Sequence, residues 1–193
     1  MSQAFTKDNY YRETFTSLSL DEEAVKSITF EECIFEGCTF LGTRLTDLRF
    51  TGCRFSNCTL SAVIPMNCRF DIVVFSNCKV IGIDWTNTQV FSEITFKSCQ
   101  LNYSNFRFMK IRKFNMPECE IIDADFTEAD LTNGDFHNSN FEKSRFMKTN
   151  LAGANFKGAK NYVIDPSANT LKKTKFSYPE VVTLLNNLDI IIE

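Results

Sequence analysis

From Phe30 to Phe156 a large apolar residue returns at every fifth position. The first run is Phe30, Phe35, Phe40, Leu45, Phe50, Phe55, Leu60, Pro65, Phe70, Phe75, Val80, Trp85 and Val90, with Pro65 the one poor fit. After a one-residue slip the beat resumes at Phe96 and runs through Leu101, Phe106, Ile111, Met116, Ile121, Phe126, Leu131, Phe136, Phe141, Phe146 and Leu151 to Phe156. A period of five matches neither the 3.6 of an amphipathic helix nor the 2 of a strand. It fits a chain that turns a corner every five residues. Four sides then close a square coil of about twenty residues, and coils stack by backbone hydrogen bonds as a solenoid.

A second position supports this. Two residues before each centre sits something small or modestly apolar: Cys33, Cys38, Thr43, Cys53, Cys58, Cys68, Val73 and Cys78, later Cys99, Ser104, Cys119, Ala124, Ala129, Gly134, Ser139, Ser144, Thr149 and Ala154. Centre and partner both point inward, and the small one leaves room for the large ones. All eight cysteines occupy this position, as buried free thiols do when they act as small hydrophobes. Vertical neighbours lie about 4.8 Å apart, so geometry alone permits disulfides; a cytosolic chain disfavours them. The only histidine, His137, follows a centre and is expected to point outward, which leaves no metal-ligand set. No cofactor is expected.

The clearest copies of the unit are Ala124-Asp125-Phe126, Ala129-Asp130-Leu131 and Ala154-Asn155-Phe156. They resemble the pentapeptide-repeat family, whose unit is approximately Ala-(Asp/Asn)-Leu/Phe-x-x. The resemblance implies an all-β chain, a right-handed quadrilateral parallel β-helix. The beat divides the chain into an irregular N-terminal coil or cap (1–29), the repeat shaft (30–160) and a C-terminal capping and dimerisation segment (161–193). Tyr10, Phe15 and Leu20 keep the beat, but Asp8 and Glu13 do not suit a core, and Asp21-Glu22-Glu23 breaks the pattern. Pro65 cannot donate to a ladder and suits a corner or a loosened side. At the slip either Val90 or Phe91 can serve as centre; one extra residue makes a bulge, not a projecting loop. About 6.5 coils give a shaft of about 31 Å.

Asp165-Pro166 is expected to end the rhythm. Ser177 is a candidate N-cap, with Pro179 and Glu180 in the first turn. Val181, Val182, Leu184, Leu185 and Leu188 then make a short amphipathic helix of about ten residues, and Ile190-Ile191-Ile192 a closing strand. So apolar a tail caps the shaft or joins two protomers. The expected homodimer contacts are Val181, Leu184, Leu185, Leu188, Ile190 and Ile192.

Net charge is −3, so no global field favours direct nucleic-acid binding. No apolar run approaches the roughly 20 residues of a membrane span, and Met1 to Tyr10 lacks the pattern of a signal peptide, so a cytoplasmic protein is expected. One histidine and no nucleophile elbow, phosphate loop or HExxH argue against an enzyme. The informative surface feature is charge placement. No Lys or Arg occurs between Lys113 and Lys143, a stretch holding Glu118, Glu120, Asp123, Asp125, Glu128, Asp130, Asp135 and Glu142. These acids fall within about 6 Å of shaft, where duplex DNA carries about 3.5 charges. Arg107, Lys110, Arg112 and Lys113 flank the band on one side, and Lys143, Arg145 and Lys148 on the other. The same acids also fit a solvated face, since Asp125, Asp130 and Asp135 sit where the repeat prefers Asp or Asn.

Three further stretches resemble the Qnr group of this family: Asn9-Tyr10-Tyr11 with Phe15 and Leu20, the run from Phe30 through Cys33, Phe35 and Cys38 to Phe40, and the ending from Asp165-Pro166 to Ile192. The resemblance implies a rod-shaped dimer joined through its tail. It would present a DNA-like acidic surface to DNA gyrase or topoisomerase IV and relieve quinolone poisoning, without catalysis. Two alternatives stand beside it: a scaffold for another protein partner, because fold does not fix function, and an immunity factor against a gyrase-targeting toxin.

Overall fold

The computed structural model describes residues 4–186 and Ile190. The chain winds as a square coil with four parallel sheets as walls. The first face stacks Asn9–Tyr11, Thr29–Glu31, Arg49–Thr51, Arg69–Asp71 and Val90–Ser92. The second stacks Thr14–Thr16, Ile34–Glu36, Arg54–Ser56, Val74–Ser76 and Thr95–Lys97. Ser19–Asp21, Thr39–Leu41, Thr59–Ser61 and Lys79–Ile81 form the third, and Ala24–Lys26, Arg44–Thr46 and Ile64–Met66 the fourth. Each strand has three residues, and its central one, the centre of a pentad, points inward. From Gln100 onward the walls continue as single parallel bridges, such as Gln100 to Glu120 to Asn140 to Lys160.

The loss of extended strands has a local cause. In the second half many centre carbonyls accept from the N–H three residues on, as in Phe126 to Ala129 (3.1 Å) and Leu131 to Gly134 (3.0 Å). With φ of 58° at Glu128 and 59° at Asn133, these corners are type II turns. Left-handed backbone costs a non-glycine residue about 1–2 kcal/mol. It is held by the ladder: the Glu128 N–H donates to the Met147 carbonyl at 2.8 Å, one coil on. In that half Asp or Asn before the centre also caps the corner. The Asp125 carboxylate accepts from the Thr127 N–H (2.9 Å), Asp130 from that of Thr132 (3.1 Å) and Asp135 from that of His137 (3.4 Å). The repeat's preference for Asp or Asn at this place is thus a turn requirement.

The core is a set of aromatic columns. On the second face Phe15, Phe35, Phe55, Phe75 and Phe96 stack with centroids 4.5 to 4.9 Å apart. On the fourth, Phe106, Phe126 and Phe146 do so at 5.1 and 5.2 Å. Burying each ring stabilises the fold by about 1.5–3 kcal/mol. Where Met116 interrupts the second-face column, Phe114 occupies the normally small inward position and packs on Phe91, Phe96 and Phe106. Large and small exchange places at that rung.

All eight cysteines are free and buried. Cys38, Cys58, Cys78, Cys99 and Cys119 form the expected column, with a bonding pattern beyond packing. Each backbone N–H donates to the sulfur of the next coil at 3.3 to 3.4 Å. Each thiol donates to a centre carbonyl of the coil below, Cys58 to Phe35 and Cys78 to Phe55, at 3.3 and 3.4 Å. Ser139 continues the column with its hydroxyl 2.9 Å from the Cys119 nitrogen. Burial pushes the Cys53 thiol up to about 12 and that of Cys68 to about 11.

The slip is resolved in favour of Phe91, which pairs with Phe70. The extra residue is absorbed by a 3₁₀ turn at Trp85–Asn87, capped by the Asp84 side chain. Pro65 lies directly below it. Elsewhere a centre can donate its N–H to the following coil, as Trp85 does to the Asn105 carbonyl at 3.1 Å. Pro65 has no N–H to give, and the strand that would stack on it is replaced by the turn.

Three expectations are corrected. Residues 9–26 form a regular first coil, not an irregular one: Ala24–Lys26 pairs in register with Arg44–Thr46, and Asp21-Glu22-Glu23 turns an ordinary corner with Glu22 at φ 51°. The end rung meets water, so Glu13 stays half-exposed and binds Lys7 at 2.9 Å, while Phe5 covers Tyr10, Phe15 and Phe30. Asp165-Pro166 does not end the coil either. Bridges join Asn150 to Thr170 and Asn155 to Lys175, and Leu171 and Phe176 return to the five-residue spacing and pack on the core. Finally, the expected helix is a 3₁₀ segment, Glu180–Leu185, without a side-chain cap. The Ser177 hydroxyl instead accepts from the Gly158 N–H at 2.8 Å, and the Glu180 carboxylate accepts from that of Asn161. The tail thus satisfies the exposed ladder edge. Leu188 and Ile192 lie outside the described residues, as does Ile191.

Candidate functional site

The acidic band wraps the shaft instead of running along it. Asp130 belongs to the first face, Asp135 to the second, Glu120 and Glu142 to the third and Asp125 to the fourth. Glu118, Asp123 and Glu128 sit at corners with φ of 58°, 55° and 58°. Residues twenty apart in sequence are stacked neighbours, so the basic flanks fold onto the band. Arg145 bridges directly over Asp125, its guanidinium 3.3 Å from the carboxylate that Arg107 approaches from below at 3.9 Å. Arg112 binds Asp130 at 2.7 Å, Lys148 lies 3.8 Å from Glu128, and Lys143 lies 3.7 Å from Glu142. Such exposed pairs add about 0–1 kcal/mol each, but they cancel the local field.

The acids before centres are half-buried. Burial pushes Asp130 up, but hydrogen bonds from Thr132 and Arg112 outweigh it and hold the carboxyl below its ordinary value. Asp135 is likewise pushed up by burial and brought below its ordinary value by His137 and Asn155. His137 places Nδ1 3.0 Å from the Asp135 carboxylate. These two side chains are committed to the fold.

What remains is a smaller cluster on and beside the third face. Glu118 accepts from the Ser98 hydroxyl (3.0 Å) and Glu120 from the Asn140 amide (2.8 Å), both neutral donors. Exposed Asp123 and Glu142 complete it, with Lys143 at its edge. The phase of the repeat could have shown this division, since positions 118, 120, 123 and 142 converge once the coil is numbered in twenties. Of the expected dimer residues, Val181 is half-buried, Leu184 packs against its own core, and Leu185 and Ile190 are 38% and 54% exposed.

Reading only centres and partners passed over two aromatics at corners, Tyr103 and Phe108, which are 64% and 58% exposed. Their signal was a large ring two residues after a centre, a place held mostly by polar residues and glycine.

A four-walled parallel solenoid on a pentad beat defines the class. A family profile described as a pentapeptide repeat region matches residues 28–106 and 90–156, and the chain belongs to the pentapeptide-repeat family. A search of curated proteins finds no match. Among solved structures, a trypsin-treated form of QnrB1, a plasmid-mediated fluoroquinolone resistance protein, is 19% identical, with 92% of this chain and 99% of that one covered at a TM-score of 0.54. Full-length QnrB1 is 15% identical over 94% of this chain and 100% of that one, also at 0.54. At these identities the likeness is one of fold.

Proposed function

We propose that this chain is a non-catalytic binding protein for a type II topoisomerase, DNA gyrase or topoisomerase IV, and that its binding relieves quinolone poisoning. The observation that carries the reading is the acid cluster of Glu118, Glu120, Asp123 and Glu142, which the arginines paired with Asp125 and Asp130 leave uncovered. A DNA-binding groove would meet this face as it meets phosphates. A fold shared over nearly the whole length with a fluoroquinolone resistance protein supports it. The protein works in the cytoplasm as a two-fold dimer, with Val181, Leu185 and Ile190 at the joint. The test is gyrase supercoiling with ciprofloxacin, with and without the protein. Restored supercoiling is expected, and reduced restoration by a variant with Glu118, Glu120, Asp123 and Glu142 all changed to the amides. No restoration at any protein concentration rejects the reading.

A second reading, a scaffold or immunity protein with another partner, draws on the ion-paired state of Asp125 and Asp130. Only part of the band is free to imitate DNA. Protection of gyrase against a toxin but not a quinolone would select it.

A further inference from the structure

The register slip opens the first face, the wall opposite the acid cluster. The 3₁₀ turn at Trp85–Asn87 leaves a depression on both sides of Phe91, floored by Phe91 and Ile111 and bordered by Lys110. Phe91 is half-exposed, whereas its predecessors in the column, Phe30, Phe50 and Phe70, are buried. At one rim stands the exposed ring of Phe108, held at φ 63° with the Arg107 guanidinium 5.0 Å from its centroid. At the other lie Arg112 and Lys113, with Glu93 the one acid of the lining. Arg112 is bound to Asp130, and Arg107 approaches Asp125. Lys110 and Lys113 make no ion pair among the described residues and are exposed.

We propose that this depression docks a short acidic peptide segment of a protein partner. An aromatic or aliphatic side chain lies on Phe91 and Ile111 beside Phe108, and flanking carboxylates meet Lys110 and Lys113. Charge complementarity selects the occupant. Two unpaired ammonium groups beside an apolar floor suit alternating acidic and apolar residues. A polyphosphate strand suits it less. Extended one rung along the wall, about 4.8 Å, it meets Glu93 below or Glu128 and Asp130 above, on a molecule of net charge −3. The proposal does not depend on the topoisomerase reading, because the acid cluster lies on the other side of the shaft.

The experiment uses the whole protein and a fluorescein-labelled peptide of glutamate, aspartate and phenylalanine, followed by anisotropy at low salt. Its amide counterpart and a thymidine oligonucleotide serve as the other arms. The single tryptophan of the chain, Trp85, lines the depression, so its emission reports occupancy. The expected result is binding of the acidic peptide, a shift of Trp85 emission, and weakening by about tenfold, 1.4 kcal/mol, in the Lys110→Gln, Lys113→Gln double variant. Those lysines are exposed, and an unchanged thermal melt confirms that the variant folds. Phe108→Ser weakens binding separately and tests the apolar arm. Equal binding of the amide peptide, unchanged affinity in the lysine variant, or no binding overturns the proposal. Tighter binding of the oligonucleotide assigns the site to phosphate instead. Displacement of the peptide by self-association, seen as rising mass in light scattering, assigns it to a second copy.

Discussion

Gly134 occupies the small inward position immediately above Phe114, at the rung where large and small have exchanged places. A Cβ on Gly134 would stand 2.5 Å from Phe136 Cζ, 2.8 Å from Phe136 Cε2 and 3.0 Å from the Phe114 carbonyl oxygen. The backbone contact cannot yield without shifting the ladder. The Phe136 ring is fully buried, with Phe156 5.0 Å and Phe141 6.0 Å away, so it has little room to retreat. Gly134 is not among the left-handed residues, and at an unhindered site of that kind Gly→Ala would stabilise by about 0.4–1 kcal/mol. Here overpacking costs about 1–3 kcal/mol and reverses the sign. Urea unfolding followed by circular dichroism should therefore show Gly134→Ala with a lower midpoint and an unchanged slope. Adding Phe136→Leu, which removes the ring atoms in the way, should make the alanine less costly than in the wild-type background, a coupling read from the double-mutant cycle. Gly82→Asn is the control: nothing lies within 4 Å of where its Cβ would stand, and asparagine tolerates φ of 67°, so the change should be nearly neutral. A Gly134→Ala variant as stable as the parent would refute the packing argument.

Native protein at pH 8 should show no fast thiol in a chromogenic disulfide-exchange assay and all eight after denaturation; eight fast thiols in the folded state would contradict the buried columns. Asp130 has a folded pKa below its ordinary 3.8, so its contribution to stability is complete above that pH and is lost as pH falls through the folded value. Asp130→Asn should accordingly flatten the decline of Tm in acid, and an identical slope would show that Asp130 is not a source of it. If the proposed dimer joins through the tail, Leu185→Asp with Ile190→Asp should give monomers with an unchanged strand spectrum, whereas Leu184→Asp should lower stability because that side chain packs on its own shaft; an unaltered mass for the first pair would refute the tail joint.

Most of the fold was legible because the core is periodic. Centres and small partners alternate for nearly the whole chain, and burial leaves few alternatives for residues such as Phe75 and Cys78. Legibility failed where solvent relaxes that rule. Glu13 and Glu23 are tolerated at inward positions because the first rung is open to water, which hid a regular coil. Tyr162 and Ile164 fall off the five-residue count, yet both are buried, and they hid the return of the coil at Leu171 and Phe176. The acid band misled for a different reason. Its basic flanks were distant along the chain but adjacent in the stack, so the neutralisation of Asp125 by Arg145 is visible only after sequence distance is converted to rungs.

The backbone ladder continues across the slip: some N–H groups reach a carbonyl 19 or, at the slip, 20 residues on, and others a carbonyl 21 or, at the slip, 22 residues back. That continuity bears on how such a chain can change length. Loss or duplication of one whole turn restores every stacking partner and alters only the reach of the rod, so growth in full turns is nearly free of structural conflict. A single-residue insertion would rotate everything downstream by one corner position, placing polar side chains in the core. The Trp85 turn shows the exception: above a proline that offers no N–H, the wall can take up one residue and hand the next strand back in phase. The acid cluster and the basic depression therefore keep a fixed angular relation to the N-terminal turns, although the sequence between them has lost count.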